Sequence, residues 1–116
     1  MNAYEIPSLR FSLPAGGAVK RHRFVAVDAN SNGIQAVADS NIIGASMNET
    51  SAGQVLEIAD GIVMVEAAAT IASGANVSAN ADGKAIAAVT GAGATIVAGI
   101  AITAGVSGDL MAVKIN

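Results

Sequence analysis

The stretch Gln54-Val55-Leu56-Glu57-Ile58-Ala59-Asp60-Gly61-Ile62-Val63-Met64-Val65-Glu66-Ala67 decides the fold. Short alternating runs rich in Val and Ile flank Asp60-Gly61, as expected of half-buried strands. Asp-Gly suits a type I′ turn, which needs φ > 0 at both central positions. The stretch therefore predicts strands over 54–59 and 62–67 joined by a tight hairpin.

The same grammar recurs on either side. Strands are predicted over 23–28, 34–38, 41–47, 76–79, 84–88, 95–103 and 110–115, each bounded by turn residues. Asn32-Gly33 and Asp82-Gly83 repeat the hairpin signal. Ala is abundant, but Gly and β-branched residues interrupt every Ala-rich stretch, and both disfavour helix interiors. One helical turn is expected, over 66–73, where Ala67, Ala68 and Ala69 run together. Many short strands with such turns predict an all-β fold, a small antiparallel β-barrel or sandwich.

The pattern also echoes itself. Gly44 and Gly53 in the first half stand 55 positions before Gly99 and Gly108 in the second. Asn32-Gly33 lines up with Asp82-Gly83 at an offset of 50, with the longer loop 89–94 absorbing the difference. This reads either as an internal duplication or as chance similarity in a low-diversity sequence.

Composition narrows the function. The chain has 116 residues, 53% hydrophobic and 13% charged, far too apolar for disorder. Its only aromatics are Tyr4, Phe11 and Phe24, so a core of Ala, Val and Ile is thin and leans on a partner surface or on oligomerisation. A net charge of −3 argues against nucleic acid as the partner. The uncharged stretch between Lys84 and Asp109 is long enough to span a bilayer but is crowded with Gly, Ala and Thr, so no membrane segment is expected. Met1 to Pro14 lacks the apolar region of a signal peptide.

Catalytic chemistry fails on inventory. Cysteine is absent, which excludes thiolate nucleophiles, thiolate metal sites and disulfides. His22 is the only histidine and sits between Arg21 and Arg23, which disfavours its use as a base. No acidic run has calcium-loop spacing, and Asp60 and Asp82 read as turn residues. Gly91-Ala92-Gly93 is not followed by the Lys-Ser/Thr of a phosphate loop. Trp is absent, against a sugar platform. The chain is expected to be no enzyme and to need no cofactor or metal.

Two features remain. Residues 1–17 hold both prolines and two of the three aromatics. They read as an extended N-terminal arm, either binding a neighbour or fraying, ahead of a single β domain over 18–116. The run Lys20-Arg21-His22-Arg23 holds three of the six cationic Lys and Arg residues. It reads either as a contact strip for an acidic protein surface or as a solvated edge strand guarded against aggregation.

The order of Leu13-Pro14-Ala15-Gly16-Gly17, Ile42-Ile43-Gly44, Asp60-Gly61-Ile62-Val63, Gly83-Lys84-Ala85, Gly99-Ile100-Ala101 and the terminal Gly108-Asp109-Leu110-Met111-Ala112-Val113-Lys114-Ile115 resembles the capsid cement, or head decoration, proteins of tailed bacteriophages. The resemblance covers residues 13–116. It implies a virion protein, made in the host cytoplasm, that binds the major capsid protein on the outer surface of an icosahedral head. It would stabilise the shell against internal pressure. A homo-oligomer is implied, trimer favoured over dimer. An arm that adds a strand to the capsid surface would suit residues 1–17. Tyr4, Ile6, Pro7, Leu9, Phe11, Leu13, Lys20, Arg21 and Arg23 are then the candidate capsid or subunit contacts. The basic run departs from the family's pattern. The alternative is a tail, fibre or surface-layer structural or adhesive module.

Overall fold

The structure, a computed structural model, describes residues 6–89 and 93–116, with side chains from Leu9 onward. Among these residues the chain is all-β. It has nine strands: β1 (Ile6–Pro14), β2 (Phe24–Val27), β3 (Gly33–Gln35), β4 (Gly44–Ser46), β5 (Val55–Glu66), β6 (Asn76–Ala79), β7 (Ala85–Ala87), β8 (Gly99–Ala101) and β9 (Leu110–Ile115). All strand pairs are antiparallel, in the order β3-β2-β4-β5-β9-β8-β6-β7 with β1 on β5. The uncharged stretch between Lys84 and Asp109 contains β7 and β8.

The hairpin expected at Asp60-Gly61 does not form. Residues 55–66 run as one strand. Gly61 takes φ +104, Asp60 Oδ1 accepts the Gly61 N–H at 2.8 Å, and β1 answers with a register shift between Pro7 and Leu9. The irregularity bends the strand without reversing it. Longer-range pairing wins over the local turn because it covers both halves of β5. Residues 55–62 pair with β1, and 62–66 pair with β9. Two other expectations are corrected. Residues 66–73 form no helical turn, because parallel and antiparallel bridges hold Ala67 to Ala85 and Ile71 to Gly105. The first tight turn lies at Asp28–Asn32, and Gly33 already belongs to β3. Asp28 Oδ1 accepts the N–H groups of Asn30 and Asn32, both at 2.9 Å, and Ser31 supplies the positive φ.

The pairing register repeats. Val25↔Gln35, Ala26↔Ile34 and Val27↔Gly33 between β2 and β3 recur 52 residues on, as Val77↔Ala87, Ser78↔Ile86 and Ala79↔Ala85. Ala45↔Ala59 and Ser46↔Ile58 recur 55 residues on, as Ile100↔Lys114 and Ala101↔Val113. The Asp28 turn recurs as Asn80 Oδ1 accepting from the N–H groups of Asp82 and Lys84. Of the two readings of the echo, duplication is therefore the one the fold realises. The early offset is 52, matching Ser31 to Gly83, and not the 50 that the Asn-Gly and Asp-Gly pairs suggested. β5 serves both units: its first half is the last strand of unit one, and its second half is the first strand of unit two.

Each unit curls into a half-barrel. In unit one a parallel bridge ties Ala15, just past β1, to Gly33; in unit two its counterpart ties Ala67 to Ala85. Val19, Val25, Leu56 and Ile58 fill the first, with Phe11 and Leu13 half-buried against them. Their counterparts Ile71, Val77, Met111, Val113, Val63 and Val65 fill the second. Each fully buried Leu, Ile or Met contributes about 1.5–3 kcal/mol. The sheet closes tightly at Gly44 and Gly99. A Cβ on either would collide with a neighbouring carbonyl oxygen, that of Ala59 or of Lys114.

The units meet through unlike surfaces. Phe24, Ala36, Ala45 and Ala59 of unit one lie in the same buried cluster as Ala79 and Ala85 of unit two. The Asn80–Lys84 turn docks on unit one: Phe24 N–H donates to Gly83 O at 2.8 Å, and Gln35 Nε2 donates to Asp82 O at 3.0 Å. Gly83 is buried at φ +72, where a Cβ would lie 3.1 Å from Ala36 O.

Candidate assembly surfaces

Of the segment 1–17, residues 6–14 pair with β5 as β1, and Tyr4 lies outside the described residues. Among the described pairings β1 has a partner on one side only, which makes it an edge strand. Pro7 and Pro14 bracket it, as suits an edge, since proline cannot donate to a ladder. Ile6 sits opposite Ile62. Leu9 is 55% exposed, and Arg10 is exposed beside it. Phe11 and Leu13 lie on the same face of the strand as Leu9 and pack on Leu56 and Ile58. The candidates on this strand thus divide by position along it: Leu9, opposite Asp60 at the end of that face, is exposed, while Phe11 and Leu13 anchor the strand to the core.

The basic run is divided too. Lys20 and Arg21 are exposed. Arg23 is only 7% exposed, which sets it apart from the other two. Its guanidinium reaches into the junction between units, donating to Asp82 O at 3.2 Å and pairing with Glu66 at 3.4 Å. Lys84 binds the other Glu66 oxygen at 2.8 Å. That hydrogen bond, with the charge of Arg23 beside it, holds the Glu66 carboxyl below its ordinary range against the opposing cost of burial. His22 takes φ 60, and its carbonyl accepts the Glu66 N–H at 3.0 Å. These residues fasten one unit to the other. The sequence signal for this was Arg23 opening a strand, but its partner lies 43 residues on, beyond any local pattern.

A shallow recess of about 380 Å³ opens on unit two between Ile71, Ala72, Ala104, Val106 and Asp109. The counterpart positions in unit one include Lys20, Glu49, Ser51 and Gln54, so the two units present different chemistry there. Among the described residues no group of three or more His, Asp or Glu side chains is placed to hold a metal ion. No helix among them is long and apolar enough to cross a membrane.

A search of curated proteins returns no match. Among solved structures, the N base of the head fibre protein gp8.5 of bacteriophage phi29 is similar, with a TM-score of 0.73 at 18% identity over 93% of each chain. That likeness shares the fold. The family model for phage cement proteins matches residues 5–115, essentially the whole duplicated sheet, and the chain belongs to the phage cement protein family.

Proposed function

We propose that this protein is a capsid decoration subunit that binds the major capsid protein on the outer surface of the phage head and stabilises the shell against internal pressure. The observation that carries the reading is the family match over residues 5–115. The structure supports it physically. The buried side chains are mostly Ala and Val, a thin core that gains from being covered in an assembly. Many weak contacts around a shell add up through multivalency. The protein acts as a fastener and not as a catalyst. Residues 1–17 are the proposed capsid-contacting arm, with β1 as its base and Leu9, Lys20 and Arg21 as exposed contacts; a homo-oligomer, trimer favoured, presents them.

The test is co-sedimentation with mature heads of the cognate phage. Saturable binding and a raised disruption temperature of the shell are expected, and no binding to expanded shells would overturn the reading. Removing residues 1–8 spares Phe11 and Leu13, so the β fold persists by circular dichroism while shell affinity falls. Undiminished affinity would remove the arm from the contact. A second reading, a base that carries a fibre, is favoured by the likeness to the phi29 head fibre base. Fibres projecting from labelled virions in electron micrographs would select it.

A further inference from the structure

The junction between the two units is heterologous: each unit contributes a different face, and each unit keeps a spare copy of the face it did not use. On unit one the buried Phe24, Ala45 and Ala59 correspond, by the repeated register, to Asn76, Ile100 and Lys114 on unit two. Ala45 is 1% exposed, whereas Ile100 is 41% exposed. On unit two the buried Ala79 and Gly83 correspond to Val27 and Ser31 on unit one. Ala79 is 3% exposed, whereas Val27 is 46% exposed. At both spare faces a larger apolar side chain stands in the open where the internal junction buries an alanine. A monomer gains nothing from that exchange, since exposed Val and Ile forgo the burial that stabilises them.

The faces are also complementary in charge. The Asp28–Asn32 turn that follows Val27 carries Asp28, whose carboxylate is held below its ordinary range chiefly by the hydrogen bond from the Asn32 backbone and is therefore ionised at neutral pH. The Ile100 face carries exposed Lys114. We propose that copies of this chain associate head to tail, with Val27 and the Asp28–Asn32 turn of one copy against Asn76, Ile100 and Lys114 of the next. The contact continues the internal junction without copying its spacing. A strict copy would place residues 6–9 where 113–116 of the neighbour run, and the Ser31 Cβ and the larger Val27 and Ile100 hold the copies further apart. Heterologous contacts do not pair off as closed dimers; they propagate until they close as a ring or run as a filament. The proposal rests on the homo-oligomer reading alone and does not involve the capsid.

Complementation tests it. Val27→Glu and Ile100→Glu each alter one exposed face, so circular dichroism should match that of the wild type. The wild-type chain should form oligomers larger than a dimer by light scattering. Each variant alone should be monomeric, with self-association weakened about tenfold or more. Mixed in equal amounts, the two variants retain one intact junction between unlike partners, so a 1:1 dimer that grows no further is expected. The double variant should not complement either single one. A monomeric wild type, single variants that still assemble, or a mixture that stays monomeric each overturns the proposal. Shell co-sedimentation is a separate measurement, so loss of capsid binding with assembly intact would count against the decoration reading and leave this one standing.

Discussion

At the scale of single residues, the protein depends on positions where a side chain is forbidden or a charge is confined. Gly44 and Gly99 occupy equivalent places in the two units, and each lies against a carbonyl oxygen of the neighbouring strand. Gly44→Ala and Gly99→Ala should each cost about 1–3 kcal/mol in urea unfolding, because the strand must shift to admit the methyl; an unchanged midpoint for either would show that the sheet yields freely there. Arg23→Ala removes one partner each from Glu66 and Asp82 O, which keep Lys84 and Gln35, and should cost about 2 kcal/mol. Glu66 adds a pH dependence. Its carboxyl value is lowered on folding, so its contribution is full above the ordinary glutamate value of about 4.3 and is lost as pH falls through the folded value. Melting temperature measured down through this acid range should fall more steeply for the wild type than for Glu66→Gln. Parallel curves would show that the Lys84 and Arg23 pairing contributes nothing to stability.

At the scale of elements, two turns built alike have unlike duties. Asp28 and Asn80 each accept two backbone N–H groups of their own turn. The Asp28 turn is open, and the Asn80 turn is docked against Phe24 and Gln35. Asn80→Ala loses the cap and loosens the docking, and should cost about 1–2 kcal/mol. Asp28→Ala should lower the melting temperature less, and Asp28→Asn should restore it. Equal losses for the two alanine variants would show that docking adds nothing to the turn. Much at this scale was legible beforehand. β6 and β9 have the boundaries their alternating runs predicted, and the Asp82-Gly83 turn is real. Asp60-Gly61 misled because a local turn signal carries no information about which distant strands compete for the same backbone.

At the scale of the whole molecule, β5 makes two half-barrels one object. Cutting the chain at Gly61 would expose Phe24, Ala45 and Ala59 on one side and Ala79 on the other. Thermal unfolding should therefore be a single cooperative transition by calorimetry and circular dichroism. A fragment of residues 62–116 should lack one; two resolved transitions in the intact chain would show that the units are separate folding domains.

The sequence by itself determined the fold class and offered the repeat as one of two readings. These follow from composition, from two-residue periodicity and from glycines whose geometry few other residues can adopt, all of which are properties of short stretches of chain. Only the tertiary structure decided that Asp60-Gly61 bends a strand instead of reversing it, that Arg23 is confined to a junction while Lys20 and Arg21 stay in solvent, and that the two units meet through unlike faces. Those outcomes depend on contacts between residues tens of positions apart, such as Arg23 with Glu66 and Phe24 with Gly83. The free energy of burying one face against another outweighs the local preferences that sequence patterns record.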